Sequence, residues 1–217
     1  MKFFSLDSPI IRFLSWITDL ILLNLLWILY SLPVVTMGAS TAALYTVAYK
    51  LNTDSCSGLF KTFHKAFREN FKKATPIFFL LLAAAVVLVF LELQFLPIAA
   101  KTSVLFYVAY LIPFVLFMMS ASMVFPLIAR FENTIFGTLR NAFLIAIGHF
   151  PTALLMAIVH LIPVILLFVS PTILLATGIV WVFAGASFTA CLNSLLAGKV
   201  LKKFLPSEEN QVVNENS

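Results

Sequence analysis

Charge is what this sequence has least of. Asp, Glu, Lys and Arg make up 11% of its 217 residues, while 62% are hydrophobic. A soluble domain keeps about a quarter of its residues charged so that its surface can face water. Fourteen basic and nine acidic side chains cannot coat a domain of this length, so lipid replaces water over most of the exterior. Cysteine is also sparse: Cys56 lies in a polar connection and Cys191 in an apolar run. That pair excludes a disulfide scaffold and any CxxC redox or metal motif, and both are read as free thiols. No second His or Cys stands at metal-ligand spacing from His160. A Walker loop, GxSxG, HExxH and paired catalytic carboxylates are all missing. The chain is therefore not expected to be an enzyme, and no cofactor or metal is expected. A net charge of +5 would suggest nucleic acid in a soluble protein. Here the basic residues flank apolar runs, where they set membrane orientation, so the expected partner is the lipid bilayer and not nucleic acid.

What the chain does have is length without charge. Leu20–Tyr49, Ala74–Leu91, Thr102–Ala129 and Asn141–Gly198 carry no charged side chain over 30, 18, 28 and 58 residues. A helix needs ~20 apolar residues to cross the hydrocarbon, so the last run holds two spans, divided at Val169-Ser170-Pro171-Thr172. The first run is interrupted at Pro33, which removes a backbone donor and clashes with the preceding turn. It reads either as one span, Ile11 to Leu32, with an interfacial segment after it, or as a hairpin whose second helix runs from about Thr36 to Tyr49. Charge placement favours the hairpin. With six spans, 13 of the 14 basic residues face the cytoplasm and only Lys101 lies outside; with five, the split is 11 against three. The segment from Thr36 to Tyr49 would rise only ~21 Å against a core of ~30 Å, so the second span is short or partly re-entrant.

The expectation is an all-α, polytopic transmembrane helical bundle, six spans favoured and five still open, with both termini cytoplasmic. Residues 1–205 form its single domain, and the polar residues 206–217 read as a disordered cytoplasmic tail. The N-terminal apolar stretch is too long for a signal-peptide core and carries Asp19, so it is expected to be retained.

Two segments read as amphipathic, interfacial helices. In Leu59 to Lys73, Leu59, Phe60, Phe63, Ala66, Phe67 and Phe71 recur at steps of three and four, with Lys61, Lys65, Arg68 and Lys72 opposite. Phe131 to Ile147 repeats the pattern with Phe136, Leu139, Phe143 and Ile147. Thr62 to Phe67 aligns with Thr138 to Phe143 at an offset of 76 positions, a hint of internal duplication.

Polar residues inside apolar runs are the candidate functional positions: Asp19, Asn24, His160 and Asn193. Asp19 follows Arg12 by seven residues and reads first as a hydrated carboxylate or packing clamp near the cytoplasmic end. His160 reads first as a neutral histidine bonded to a neighbouring helix, with pairing to Asp19 or proton transfer as the sharper alternative. Small residues around Gly38 and Gly185 allow close helix approach. The break between Pro33 and Gly38 also allows a helix end that exposes backbone donors to a ligand.

The stretch Asn24-Leu-Leu-Trp27-Ile-Leu-Tyr-Ser31-Leu-Pro33-Val-Val-Thr36-Met-Gly38-Ala-Ser40-Thr41-Ala-Ala-Leu44-Tyr45, together with Phe63-His-Lys-Ala-Phe67-Arg-Glu-Asn70-Phe71, resembles the YesL family of bacterial membrane proteins, whose function is unknown. Pro33, Thr36, Gly38, Ser40 and Thr41 are the family-motif positions. The resemblance implies a multi-pass protein of the bacterial cytoplasmic (inner) membrane whose genes often lie near those of ABC-type carbohydrate importers. It thereby suggests an accessory or permease-associated component of oligosaccharide uptake, with ABC-type permease subunits as partners. A stand-alone small-solute transporter is the alternative, and a membrane-embedded enzyme comes third.

Overall fold

The computed structural model describes residues 9–53, 55–169, 178 and 180–204. Among the described residues seven helices carry the fold: α1 Pro9–Ser31, α2 Met37–Leu51, α3 Leu59–Thr102, α4 Val104–Ile128, α5 Ile135–Gly148, α6 Phe150–Val169 and α7 Ala186–Leu201. A 3-10 turn, Val34–Thr36, joins α1 to α2, and a π-helical turn, Trp181–Gly185, leads into α7. No strand occurs among the described residues. The expected division at 169–172 and the tail from 206 fall largely or wholly outside the described residues.

Among the described residues four helical stretches are long and apolar enough to cross a membrane: Ile10–Ser31, Leu59–Phe95, Val104–Ile128 and Trp181–Phe204. α5 and the first part of α6 make a fifth if taken together, although they meet at 110°. This is an all-helical membrane protein. The 15 residues of α2 rise only about 22 Å.

α2 is nevertheless the hub. Two apolar cores meet on it. One joins Ala42 to Ala74 and Ile77 of α3, Met119 and Met123 of α4, Ala142 of α5, Met156 of α6 and Ala197 of α7. The other joins Ala43, Leu44, Tyr45 and Val47 to Leu20 and Leu23 of α1, Phe63 of α3, and Ala190 and Cys191 of α7. Gly, Ala and Ser along Met37–Ala48 keep the helix narrow enough to be surrounded. Gly38 shows the tightest approach: a Cβ there would overlap the Ala74 carbonyl oxygen and sit 2.7 Å from Phe78 Cβ. The small residues are thus explained as a close-packed interface.

The basic segment from Leu59 to Lys73 is the first third of α3, a continuous helix of 44 residues, about 66 Å long. Much of its apolar face meets protein. Tyr30 of α1 packs edge-on against Phe63 and Phe67, at 5.2 and 4.9 Å between ring centres, and its hydroxyl lies 2.8 Å from His64 Nδ1. α5 differs: it buries Thr138, Ala142 and Ala146 and leaves Phe136, Phe143 and Ile147 exposed. The two segments open at Leu59 and Ile135, again 76 positions apart.

Basic ends gather. Lys73 Nζ donates to the Phe131 carbonyl at 3.1 Å, and the Arg130 guanidinium lies 4.8 Å from the centre of the Tyr49 ring. Asn52 donates to the Cys191 carbonyl and to Ser194 Oγ, at 2.9 and 2.6 Å. The far halves of α3 and α4 leave this body as an apolar hairpin exposed at Val86, Phe90, Leu93, Leu105 and Val108, with Lys101 near its tip.

Candidate functional site

The Pro33 to Thr41 motif is a staple between α1 and α2. Pro33 opens the turn in extended conformation and cannot continue α1. The Thr36 hydroxyl reaches the carbonyls of Tyr30 and Pro33, at 2.5 and 2.7 Å, covering acceptors that the end of α1 leaves free. Ser40 Oγ donates to the Trp27 carbonyl at 3.0 Å. Trp27 Nε1 donates to Thr41 Oγ1 at 3.2 Å, and Thr41 passes its own hydrogen to the Met37 carbonyl at 2.8 Å. Each motif side chain therefore has a conformational or packing task. The last pair also fixes the plane of the Trp27 indole.

That indole forms one wall of a cavity of about 330 Å³ where α1, α2, α6 and α7 meet. Trp181 is a second aromatic wall, and Thr41, Tyr45, His160 and Thr189 supply polar groups. His160 Nδ1 lies 2.9 Å from the Met156 carbonyl, which can only accept, so Nδ1 carries the hydrogen. Nε2 is then free to accept from the Tyr45 hydroxyl at 3.2 Å. The Asn193 carboxamide closes the group, with Nδ2 3.0 Å from Nδ1 and Oδ1 buried without a partner. Turning that amide over sets the orphaned oxygen against the Nδ1 hydrogen and removes the donor–donor conflict. The result is a neutral relay, Tyr45 to His160 to a backbone carbonyl, in an apolar interior.

Of the four intramembrane candidates, the structure brings His160 and Asn193 together and leaves Asn24 and Asp19 apart from them. Asn24 is fully buried and clasps the π-helical turn, donating to the Val182 carbonyl at 2.6 Å and accepting from the Ser187 amide at 2.9 Å. A π turn shifts its hydrogen bonds by one residue and strands backbone groups at its edges; Asn24 satisfies two of them. Asp19 lines a separate polar cavity of about 510 Å³ with Arg12, Ser15, Lys50 and Cys56. It does not pair with His160. Trp27, Tyr45 and Trp181 escaped sequence reasoning, because aromatic residues in an apolar run look like packing. The available signal was spacing: Thr41 and Tyr45 are four apart, on one face of α2.

The model of a family described as "Protein of unknown function, DUF624" matches residues 20–91. The chain is also 31% identical over 160 residues to the uncharacterized protein YesL of Bacillus subtilis (strain 168), covering 70% of this chain and 74% of that one. The chain belongs to this YesL family. No solved structure matches it significantly. The family-model segment supplies Asn24, the staple, Trp27 and Tyr45, whereas His160, Trp181 and Asn193 come from beyond it. Among the described residues, no three His, Cys, Asp or Glu side chains gather closely enough to hold a metal ion.

Proposed function

We propose that this YesL-family protein is a non-enzymatic, permease-associated component of carbohydrate uptake in the bacterial cytoplasmic membrane. In this proposal α1, α2, the part of α3 from Ala74, α4, α6 and α7 are the six spans, and both termini are cytoplasmic. α5, with its exposed Phe136 and Phe143, lies in the interface. The gathering of Lys73, Arg130 and the ends of α2 and α7 supports one cytoplasmic face. Lys101 stands 28 residues further along α3, about 42 Å away, as an outward-facing residue requires.

The observation that carries the partner role is the distal α3–α4 hairpin. Its residues Val86, Val87, Phe90, Leu93, Val104, Leu105 and Val108 are exposed, which leaves a two-helix apolar surface for the spans of an ABC-type permease. A photo-crosslinking residue at Leu93 or Leu105 in living cells should capture a permease subunit of a carbohydrate importer. Crosslinks to lipid alone at both positions would count decisively against the role.

The cavity beside His160 favours a second reading, a transporter acting alone. Two indole walls and a few hydroxyls suit a small hydroxylated solute, whose C–H faces stack on aromatic rings while its hydroxyls bond to polar groups. Uptake by proteoliposomes containing only this protein, abolished in Tyr45→Phe/His160→Ala, would select that reading. Unchanged uptake in the double variant would remove the cavity from the mechanism.

A further inference from the structure

The start of α3 has a polar chamber that neither reading uses. The chain leaves α2 after Leu51 and enters α3 through Gly58, whose φ of +86° is a conformation that side-chain-bearing residues rarely adopt. This turn brings Ser57 beside the first turn of α3. Gly58 offers no side-chain acceptor, so the opening amides of a 44-residue helix stay uncapped and present its positive end. Along the flank of this first stretch of α3 opens a chamber of about 290 Å³, lined by Lys50, Ser57, Lys61, Thr62, Lys65 and Glu69 among others.

Thr62 separates this place from an ordinary basic helix end. It is only 9% exposed, and among the described residues its hydroxyl has no hydrogen-bond partner. Its counterpart 76 positions on behaves differently: Thr138 Oγ1 donates to the Thr134 carbonyl one turn back, at 2.9 Å. The equivalent acceptor for Thr62 is the Gly58 carbonyl, which takes only the Thr62 backbone amide. A nearly buried hydroxyl is thus left open to a chamber ringed by three ammonium groups and one carboxylate. The ion pair seen on this rim among the described residues, Lys65 Nζ to Glu69 Oε1 at 3.8 Å between largely exposed side chains, is weak.

We infer that this chamber binds a phosphate group, with Lys50, Lys61 and Lys65 as the charge and Thr62 with Ser57 as the hydroxyl contacts. A lipid phosphodiester carries one negative charge and inorganic phosphate one to two near neutral pH, and their free oxygens accept hydrogen bonds, which these ammonium and hydroxyl groups match. The group arrives either on an anionic lipid, from the leaflet beside the chamber, or on a soluble molecule.

The test uses the full chain in two preparations. In phosphatidylcholine nanodiscs, inorganic phosphate is titrated and followed by phosphorus NMR line broadening. In mixed phosphatidylglycerol and phosphatidylcholine bilayers, retained phosphatidylglycerol is counted by native mass spectrometry after detergent exchange. Binding in the first preparation identifies a soluble source, retention in the second alone identifies lipid, and failure to bind in both overturns the inference. Lys61→Gln/Lys65→Gln should weaken binding by tenfold or more. Thr62→Val, which changes no charge, should weaken it several-fold, and Thr62→Ser should restore it. Lys202→Gln/Lys203→Gln removes the same charge elsewhere and should leave binding intact. Equal loss in both lysine pairs, or wild-type binding by Thr62→Val, would reduce the effect to general leaflet attraction and refute the site.

Discussion

Asn24 on α1 holds Ser187 at the head of α7: the Ser187 amide donates to Asn24 Oδ1 at 2.9 Å, and the Ser187 hydroxyl donates to the Leu20 carbonyl at 2.8 Å. The same carboxamide satisfies Val182 within the π turn. Asn24→Leu keeps the volume and strands two buried backbone groups. It should lower stability by about 1–3 kcal/mol, measured by reversible SDS unfolding in bicelles. A loss below the error of that assay would mean that the π turn finds other partners.

Gly38 against Ala74 calls for a contrast between two glycines. Gly38→Ala forces a methyl into the backbone of α3 and should cost about 1–3 kcal/mol or more. Gly148→Ala meets nothing within 4 Å and should leave the unfolding midpoint nearly unchanged. Similar midpoints for the two variants would contradict the close α2–α3 approach.

Gly58 is a third case, since its cost lies in conformation and not in space. No atom lies within 4 Å of a Cβ added there, yet φ is +86°. Gly58→Ala should destabilise by about 1–2 kcal/mol, and Gly58→Asn by less, because Asn tolerates positive φ better. The ranking can be read from thermal unfolding in detergent.

The relay at His160 predicts unequal single substitutions. Tyr45→Phe removes one hydrogen bond and should cost about 0.5–1.5 kcal/mol. His160→Leu leaves the Tyr45 hydroxyl and the Asn193 amide unpartnered and should cost about 2–4 kcal/mol, while Tyr45→Phe/His160→Leu should be less damaging than the sum of the two. Strict additivity in this cycle would show that the two side chains do not interact.

Topology is open to a direct measurement. Reporters fused after Pro33 and after Lys101 should report outside, and those after Ser55 and Glu132 inside. A cytoplasmic signal after Pro33 would reduce α2 to a buried, non-spanning helix and flip the N-terminus.

The class of the protein was legible in composition alone: too little charge for a water-facing surface, and apolar runs of span length. The break at Pro33 was legible because proline acts locally, whereas the positive-φ turn at Gly58 emerged only from the structure. The motif around Thr36 and Gly38 makes its contacts locally, with Trp27, Tyr30 and the neighbouring α3. The polar candidates were legible as a set, but their grouping was not. His160 meets Tyr45 across 115 positions, and Asn24 meets Val182 across 158. No periodicity in one segment records which distant backbone group is left unsatisfied in another. Nor does the sequence distinguish Thr62 from Thr138, which stand in similar strings, yet one hydroxyl turns back to its own helix and the other faces a chamber. Hydrophobic length and charge act along the chain, so the sequence determined helices, membrane and orientation signals. Hydrogen-bond satisfaction in an apolar interior is a three-dimensional matching problem, so tertiary structure alone decided that α2 is the hub, that Asn24 is a clamp, and that His160 belongs to a cavity.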